Sequence, residues 1–311
     1  METKALALYT DAAFLRHDLG GFHPENPLRL VVIEPVLEAL AAKGAVRVTL
    51  CPPVSESELT WVHDPTHIAL VKAVCRRGPA SLDSDTHVVP ESWDAALRAA
   101  GAAVDAARKV FAGTYRRAFC AVRPPGHHAE RDRAMGFCLF NNVALAAEAL
   151  KRDGVERIAI VDFDVHHGNG TQKSFWNDPA VFYASCHQYP HYPGTGDQED
   201  SGGAAAQGGI LNEAMPAGAG DAEYLAWHRG PLTVALRKFR PQILLVSVGF
   251  DGHADDPFAG HNVSTEGYGA IGRILVDLAE ELCEGKMVSV LEGGYHPRAL
   301  PEALAAYLED Q

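Results

Sequence analysis

Residues 158–168 read IAIVDFDVHHG, an apolar run that ends in two carboxylates and two imidazoles. The apolar part is typical of a buried strand, and burying so many polar groups at its end is costly unless a cation or a proton transfer uses them. Asp164 and His166 are two residues apart, so both side chains leave the same side of an extended segment, as two ligands of one zinc ion would. One Asp-x-His pair is weak evidence, because most such pairs lie in solvated loops.

Two further segments place similar groups directly after apolar runs. Residues 122–130 read VRPPGHHAE and supply the adjacent His127 and His128, and residues 245–251 read LVSVGFD and end at Asp251. In an open α/β sheet the active site lies outside the carboxyl ends of the strands. The three polar segments are therefore expected to meet at one edge of a sheet, which is the pattern of a metalloenzyme.

The residue types suit a catalytic zinc site. Asp164, His166 and Asp251 offer three ligands and leave a fourth position for a water, whose pKa a zinc ion lowers to about 7. The paired histidines are the candidate general base, and Asp162 can orient one of their imidazoles. Tyr295 follows the last predicted strand in the motif LEGGY, where its phenol can stabilise an oxyanion; for a tyrosine taken alone, a structural role would be the better interpretation.

Strand and helix patterns alternate along the whole chain. Strands are predicted over Lys4–Tyr9, Ala118–Val122, Arg157–Phe163, Val181–Ser185, Gln242–Gly249 and Met287–Leu291, and helices over Leu28–Ala42, Ser92–Phe111, Asn142–Lys151, Glu223–Phe239 and Thr265–Cys283. Continuous apolar strands separated by helices indicate a mostly parallel sheet covered on both faces. No linker or repeat divides the sequence, so residues 1–311 are expected to form a single α/β domain.

Composition narrows the classes of function. The 311 residues carry a formal net charge of −13, which disfavours nucleic-acid partners and favours cationic molecules, with solubility as an equally good reason for the acidity. The six cysteines are scattered without a CxxC pair, so reduced thiols and a cytoplasmic location are expected. No signal peptide and no membrane-spanning apolar stretch are evident. A homo-oligomer is left open.

The ordered motifs resemble those of the histone deacetylase family. They are RPPGHHAE, GFC at residues 136–138, DFDVHHGNGTQ, GFD at residues 249–251 and EGGY, within a similarity that runs from His23 to Tyr295. The likeness is greatest to class II members and to bacterial deacetylase-like amidohydrolases. It implies an arginase-deacetylase fold of three αβα layers, one zinc ion, and hydrolysis of N-acetyl or other acyl amides, such as acetyl-lysine, to the acid and a free amine.

The resemblance also assigns catalytic residues. The three metal candidates match the zinc ligands, and His127 and His128 match the tandem histidines, with His128 as the general base and acid. Asp162 matches the carboxylate behind His127. Asn169 stands behind His128, where class I enzymes have an aspartate. Tyr295 matches the catalytic tyrosine, which some class II members lack, so its presence favours an active enzyme.

Substrate-binding residues follow from the same resemblance. Phe137 and Tyr192 match the aromatic walls of the acyl-lysine tunnel, with a tyrosine in place of the more usual second phenylalanine. Phe258 stands where polyamine-specific members place an acidic gatekeeper, which favours acyl-lysine-like substrates. Either Asp83 or Asp85 matches the aspartate that grips the substrate backbone. The expected substrate-binding set is Gly136, Phe137, Tyr192, Phe258, Gly293, Asp83 and Asp85.

Potassium binding is a further implication of the resemblance. The expected ligands are Asp162, Asp164, His166, Ser185 and Cys186 for one ion, and Phe175, Asp178 and Val181 for a second. For the second group, a helix-to-strand turn with a cap is an equally good interpretation of the sequence.

Three other functions compete with the zinc amide hydrolase. An acetylpolyamine amidohydrolase shares the mechanism and differs only in substrate. A non-catalytic acyl-amine binder would need a broken tyrosine or zinc triad, and none is broken. A binuclear manganese ureohydrolase would need a second carboxylate where this chain has Gly168. A metal assay distinguishes the last, because it would find two manganese ions instead of one zinc.

Overall fold

The computed structural model describes residues 5–311, with a parallel sheet at the centre. The strands among these residues are β1 (Leu6–Tyr9), β2 (Val46–Val48), β3 (Ala80–Ser81), β4 (His87–Val88), β5 (Arg117–Cys120), β6 (Ile158–Asp162), β7 (Val181–Gln188), β8 (Ile210–Met215), β9 (Ile243–Val248) and β10 (Met287–Leu291). Eight of them form the sheet, all in parallel, in the order β2-β1-β5-β10-β9-β6-β7-β8. β3 and β4 form a separate antiparallel ribbon. Lys4, the first residue of the first predicted strand, lies outside the described residues.

Helices pack on the sheet in two groups. The helices are α1 (Ala12–Arg16), α2 (Leu28–Ala42), α3 (Glu56–Leu59), α4 (Pro65–Arg77), α5 (Ser92–Phe111), α6 (Asn142–Arg152), α7 (Asn169–Phe175), α8 (Asp221–Trp227), α9 (Thr233–Phe239), α10 (Thr265–Cys283) and α11 (Ala299–Leu308). α5 packs with α1, α4 and α6, whereas α10 packs with α8, α9 and α11, and α11 contacts α2. The predicted three-layer αβα domain with a parallel sheet is therefore confirmed.

One predicted helix is interrupted. The sequence pattern predicts a continuous helix over Glu223–Phe239, but a π-helical turn over His228–Leu232 separates α8 from α9. Pro231 lies in this turn, and it has no N–H to donate to a helical hydrogen bond. Thr233 Oγ1 instead donates to the carbonyl of His228 at 2.7 Å. Helices α2, α5 and α10 begin and end as predicted.

The sequence pattern missed four strands: the short β3 and β4 of the ribbon, and β2 and β8, which are the two edge strands of the main sheet. β2 is three residues long, and Val46 at its start is 39% exposed. β8 alternates between buried and half-buried residues and includes Asn212 and Glu213. Edge strands lack the continuous apolar run of a strand covered on both faces, so the pattern that revealed the central strands does not extend to them.

The strand order brings the predicted polar segments together. β9 lies between β10 and β6, and β5 lies on the other side of β10. All four strands are parallel, so the segments that follow them emerge at one edge of the sheet. All six cysteines are buried and unpaired. Within residues 5–311, no helix combines the length and apolar character needed to cross a membrane.

Candidate active site

Three of the predicted residues form a compact group of metal-binding atoms. One ligand atom each from Asp164, His166 and Asp251 lies within 4.8 Å of the others. His166 Nδ1 is 3.1 Å from Asp164 Oδ1 and 3.1 Å from Asp251 Oδ2. The two aspartates are buried, and the His166 side chain is 12% exposed. The group is therefore open on the side of the imidazole.

Backbone N–H groups orient the two carboxylates. Gly293 N donates to Asp164 Oδ2 at 2.7 Å, and Val165 N donates to Asp251 Oδ1 at 3.0 Å. Each carboxylate thus has one oxygen held by the backbone of a distant segment and the other directed at His166, whose backbone N–H also donates to Asp164 Oδ1 at 2.9 Å. A Cβ on Gly293 would lie 2.0 Å from Asp251 Oδ2, so only glycine fits there.

This donor set fits a divalent cation that accepts nitrogen and oxygen ligands. Burial opposes the charged form of His166, but its contacts with the two carboxylates outweigh this and raise its pKa to about 10. Two buried carboxylates that converge on one imidazole therefore attract positive charge. Two carboxylates and one imidazole are a ligand set that zinc accepts, and three protein ligands leave a position for water or substrate.

The first of the paired histidines has an anionic partner. His127 Nδ1 lies 3.1 Å from Asp162 Oδ2, which also accepts from the Tyr183 hydroxyl at 3.1 Å. Burial disfavours the imidazolium of His127, but the charges of Asp162, Asp164 and Glu292 dominate and raise its pKa to about 10. His127 is therefore a cation at neutral pH, as expected for an imidazole oriented by Asp162.

The second histidine has a neutral partner. His128 Nδ1 lies 2.8 Å from Asn169 Oδ1. Burial, followed by the charges of His127 and His166, holds the pKa of His128 well below its usual value. The amide of Asn169 provides no negative charge to offset them. His128 is therefore neutral and can accept a proton.

Glu292 is a buried carboxylate to which the sequence analysis gave no role. It accepts hydrogen bonds from Gly126 N at 2.7 Å, from His127 N at 3.1 Å and from Ser247 Oγ at 3.1 Å. Burial raises its pKa to about 7, although the charge of His127 opposes the shift. Its position directly after β10 could have predicted that it lies in the site, just as Asp251 was predicted from its position after β9. Glu292 holds the backbone that carries the paired histidines.

Tyr295 lies at the same edge, on the loop after β10. Asp256 Oδ2 accepts from Tyr295 N at 2.7 Å and from His296 N at 3.0 Å. The guanidinium of Arg29 lies 4.9 Å from the centroid of the Tyr295 ring, and Arg29 Nε donates to the carbonyl of Gly294 at 2.7 Å. Burial raises the pKa of the phenol well above its usual value, so the hydroxyl keeps its proton and can donate.

A cavity of about 320 Å³ opens onto these groups. The aromatic residues predicted to line a substrate tunnel, Phe137, Tyr192 and Phe258, all line it. The rings of Phe258 and Tyr295 lie 4.7 Å apart, and the Tyr192 ring meets His128 edge-on at 5.2 Å. The cavity is lined by Asp85, Pro125, His127, His128, Gly136, Phe137, His166, His191, Tyr192, Phe258, Gly293 and Tyr295.

The two aspartates that the sequence could not distinguish differ in position. Asp85 lines the cavity, and its Oδ1 accepts from Gly136 N at 3.2 Å. Asp83 is not among the residues that line the cavity; it pairs with Arg133 at 3.2 Å and accepts a hydrogen bond from Ser84 N. Gly136 has a φ of +56°, and a Cβ there would lie 2.4 Å from the ring of His128. Of the two aspartates, Asp85 therefore has access to a bound substrate.

His191 is a cavity residue that the sequence analysis missed. Its ring stacks on His166 with centroids 5.2 Å apart, and its Nε2 lies 3.1 Å from the carbonyl oxygen of Phe258. His191 thereby connects the loop that carries Tyr192 with the loop that carries Phe258. A histidine in a polar loop shows no sequence pattern that would predict its place in the cavity wall.

The residues predicted for a first potassium ion lie on β6, on the segment that follows it and on the neighbouring strand β7. Asp162 and Ser185 are paired across β6 and β7, and Cys186 follows in the same strand. Ser185 Oγ lies 2.9 Å from His187 Nδ1, and one oxygen of Asp162 contacts His127. Potassium at these residues stays a prediction.

The residues predicted for a second potassium ion form the turn between α7 and β7. Asp178 N donates to the carbonyl of Phe175 at 3.0 Å, and Val181 N donates to the carbonyl of Asp178 at 3.2 Å. The Asp178 carboxylate accepts from Ala180 N at 3.0 Å and forms an ion pair with Lys151. These are the contacts of a capped turn, the alternative that the sequence left open, and a second potassium ion stays a prediction.

Comparisons with known proteins agree with this geometry. Residues 23–310 match the model of the histone deacetylase domain. The chain is 37% identical over 284 residues to a probable deacetylase of Archaeoglobus fulgidus, covering 91% of this chain and 79% of that protein. It is 36% identical over 290 residues to the histone deacetylase-like amidohydrolase of Pseudomonas aeruginosa, covering 93% and 76%.

A solved structure gives the same answer for the fold. The crystal structure of the HDA15 HD domain matches with a TM-score of 0.92 at 34% identity, covering 98% of this chain and 87% of that one. The expected arginase-deacetylase fold is thereby confirmed. Family model, relatives and fold agree over almost the whole chain: it belongs to the histone deacetylase family.

Proposed function

We propose that the protein is a zinc-dependent hydrolase of N-acetyl and related acyl amides such as acetyl-lysine, releasing acetate and a free amine. Family membership makes it a hydrolase of the deacetylase or amidohydrolase type. The observation that carries the finer proposal is the convergence of Asp164, His166 and Asp251 beside one neutral and one charged histidine at the end of a cavity.

The residues of the chain divide the proton chemistry among them. A zinc ion held by the three ligands would supply Lewis acidity and a water of lowered pKa. His128, neutral in its buried position, accepts the proton of the attacking water and returns it to the leaving amine. His127, charged beside Asp162, stabilises the negative charge that develops nearby. The Tyr295 hydroxyl donates to the oxyanion.

The cavity walls favour an extended, uncharged stem next to the amide. Phe137, Tyr192 and Phe258 provide apolar faces, and Phe258 offers a cation at most a cation–π contact, worth about 0.5–2 kcal/mol. Asp85 is the candidate to grip a substrate backbone N–H, because its carboxylate lines the cavity. Acyl-lysine-like substrates are therefore proposed ahead of acetylpolyamines.

Metal analysis of Asp251→Ala tests the zinc assignment. The wild-type protein should retain one zinc per chain, and the variant should lose both the metal and its activity because one of three ligands is gone. Asp153→Ala is the matched control, since Asp153 precedes β6 at the opposite edge of the sheet and pairs with Arg108. Full activity in zinc-free Asp251→Ala protein, or two manganese ions per chain in the wild type, would refute the assignment.

A substrate panel tests the second half of the proposal. We expect kcat/KM to be higher for acetyl-lysine peptides or longer acyl-lysines than for acetylspermidine and acetylputrescine. A clear preference for the acetylpolyamines would overturn the substrate class and leave the zinc assignment unaffected.

A further inference from the structure

The orientation of the Asn169 amide decides which nitrogen of His128 carries the proton. An amide has an oxygen that only accepts and an NH2 group that only donates. Because Asn169 Oδ1 lies 2.8 Å from His128 Nδ1, Nδ1 must donate, and the lone pair is on Nε2. An amide rotated by half a turn would present its NH2 group to Nδ1. The lone pair would then face Asn169 instead of the cavity, and His128 would lose its basic atom there.

Glu130 opposes this rotation. Its Oε1 accepts from Asn169 Nδ2 at 2.6 Å and from Lys173 Nζ at 2.7 Å. The other atoms near Asn169 Nδ2 are also acceptors: the carbonyl oxygen of His128 and the sulfur of Met135, each at 3.4 Å. A rotated amide would place its oxygen against all three acceptors, one of them a carboxylate, and leave them without a donor.

Glu130 is itself held in place. Its backbone N–H donates to the carbonyl of Arg133 at 2.9 Å, and its carbonyl lies 2.9 Å from His63 Nδ1. The Glu130 side chain is 14% exposed and Asn169 only 2%, so little bulk water reaches the contact between them. With a distance of 2.6 Å to a carboxylate, against 3.4 Å to each of the other two acceptors, this contact is the strongest of those that hold the amide in one orientation.

We propose that Glu130 is a positioning residue for the hydrolytic reaction: by orienting Asn169, it keeps Nε2 of His128 free to act as the base. The inference rests on the proposed function, which gives His128 its role. It follows from the neutral partner of this histidine. A carboxylate accepts through either oxygen, so Asp162 beside His127 needs no such residue. An amide accepts only through its oxygen, so only one of its two orientations leaves Nε2 of His128 free.

Removal of the acceptor is the first test. Glu130→Ala and Glu130→Met both lack the carboxylate oxygen, and each should lower kcat by about 10–100-fold with little change in KM. Glu130→Gln retains an acceptor oxygen that Lys173 can orient, so it should recover most of the activity. Glu148→Ala is the matched control: Glu148 also pairs with a lysine, its side chain is 16% exposed, and it makes no contact with Asn169. Its kcat should equal that of the wild type.

A double variant separates positioning from a general structural role. In Glu130→Ala/Asn169→Asp the new carboxylate accepts from His128 Nδ1 in either orientation. The double variant should therefore regain most of the kcat lost in Glu130→Ala, measured at mildly alkaline pH, where His128 remains neutral beside a carboxylate. A loss that neither this double variant nor Glu130→Gln recovers would show that Glu130 only supports the fold.

Nitrogen-15 NMR of the histidine side chains reads the tautomer without any reaction. In the zinc-loaded wild type, His128 should show a protonated Nδ1 and an unprotonated Nε2, with its signals identified by their absence in His128→Ala. In Glu130→Ala and Glu130→Met the two tautomers should mix. An unchanged single tautomer, or wild-type kcat, in these variants would overturn the proposal. This measurement needs no substrate, so it tests the role of Glu130 even if the protein hydrolyses no acyl amide. A failure of the proposed function can therefore be distinguished from a failure of this inference.

Discussion

His127 and His128 are adjacent in sequence, their ring centroids are 4.0 Å apart, and both are almost fully buried. Their protonation nevertheless differs in opposite directions. The pKa of His127 is raised to about 10, whereas that of His128 is held well below its usual value. Of the charges that raise the pKa of His127, that of its partner Asp162 is the largest, whereas the amide of Asn169 gives His128 no such charge. Burial alone makes both imidazoles neutral; the charge of the partner then decides which of them becomes a fixed cation and which can take a proton.

The largest effect is expected from removal of the neutral histidine. His128→Ala should lower kcat by about 10²–10⁴, because the general base is lost. The variant should retain zinc, since His128 is not a ligand of the proposed site. Steady-state kinetics combined with metal analysis checks this. A kcat close to that of the wild type would mean that the base has been assigned to the wrong residue.

Tyr295→Phe measures the contribution of a donor outside the histidine pair. Only a hydroxyl is removed, so the variant should fold normally and lose about 10²–10³ in kcat on an acetyl-lysine peptide. The melting temperature should stay at the wild-type value. If the variant instead turns over substrate at the wild-type rate, Tyr295 has a structural role, and stabilisation of the oxyanion falls to His127 and the proposed zinc ion.

Asp162→Asn gives His127 a neutral partner like that of His128. The pKa of His127 should fall from about 10, because the largest of the charges that raise it is removed. We expect kcat to drop by about 10–100-fold, the usual cost of losing a hydrogen-bonded partner behind a site residue. A pH titration of the His127 ring by NMR measures the shift directly. A pKa that stays near 10 would contradict the assignment of that charge to Asp162.

Asn169→Asp makes the opposite change by giving His128 an anionic partner. The pKa of His128 should rise, because a carboxylate at hydrogen-bond distance favours the imidazolium. The acidic limb of the kcat/KM profile should therefore move to higher pH, since protonated His128 cannot act as a base, while the activity at alkaline pH is largely kept. An unmoved acidic limb would show that His128 does not determine it.

The smallest effect is expected from His228, which is buried outside the candidate active site. Burial lowers its pKa, as it does that of His128. The pKa of His228 is lowered by this burial to about 4, from an ordinary value of about 6.5. Between these two pH values the unfolded chain binds a proton that the folded chain does not. Because of this residue, the free energy of unfolding should therefore rise by about 1.4 kcal/mol for each unit of pH between about 4 and 6.5. Urea unfolding at several pH values should show a shallower slope for His228→Gln, and an identical slope would refute the idea.

Burial also decides which parts of the fold could be predicted from the sequence. Central strands were visible because both faces are buried and the apolar runs are continuous, and polar groups at their ends could be assigned to one edge of the sheet. Edge strands β2 and β8 were invisible because polar residues interrupt them. The second-layer contacts were also out of reach, because Glu130 and Asn169 are separated by 39 residues and meet only in the folded chain.

The sequence could not show whether Asp83 or Asp85 contacts the substrate, and the cause is different. Asp83 and Asp85 lie in one loop, and two residues of the same type two positions apart give equal patterns. The choice is made by Gly136, whose N–H binds Asp85, and by Arg133, which binds Asp83. Both partners come from a distant part of the chain. The roles assigned to the site residues remain predictions, but the strand ends that carry them meet as expected.

The position of β9 between β6 and β10 has a consequence for when the proposed metal site could form during synthesis. Asp164 and His166 leave the ribosome long before Asp251, and β7 and β8 are made in between. A nascent chain that ends before β9 has two candidate ligands and lacks the third, as well as the Gly293 N–H that orients Asp164. Tight binding of a metal ion at the proposed site would therefore wait until β9 has been inserted into the sheet and β10 has followed. If the proposed site takes up a metal ion, its uptake would follow the insertion of the last central strands, and a truncated chain would be left without the ion.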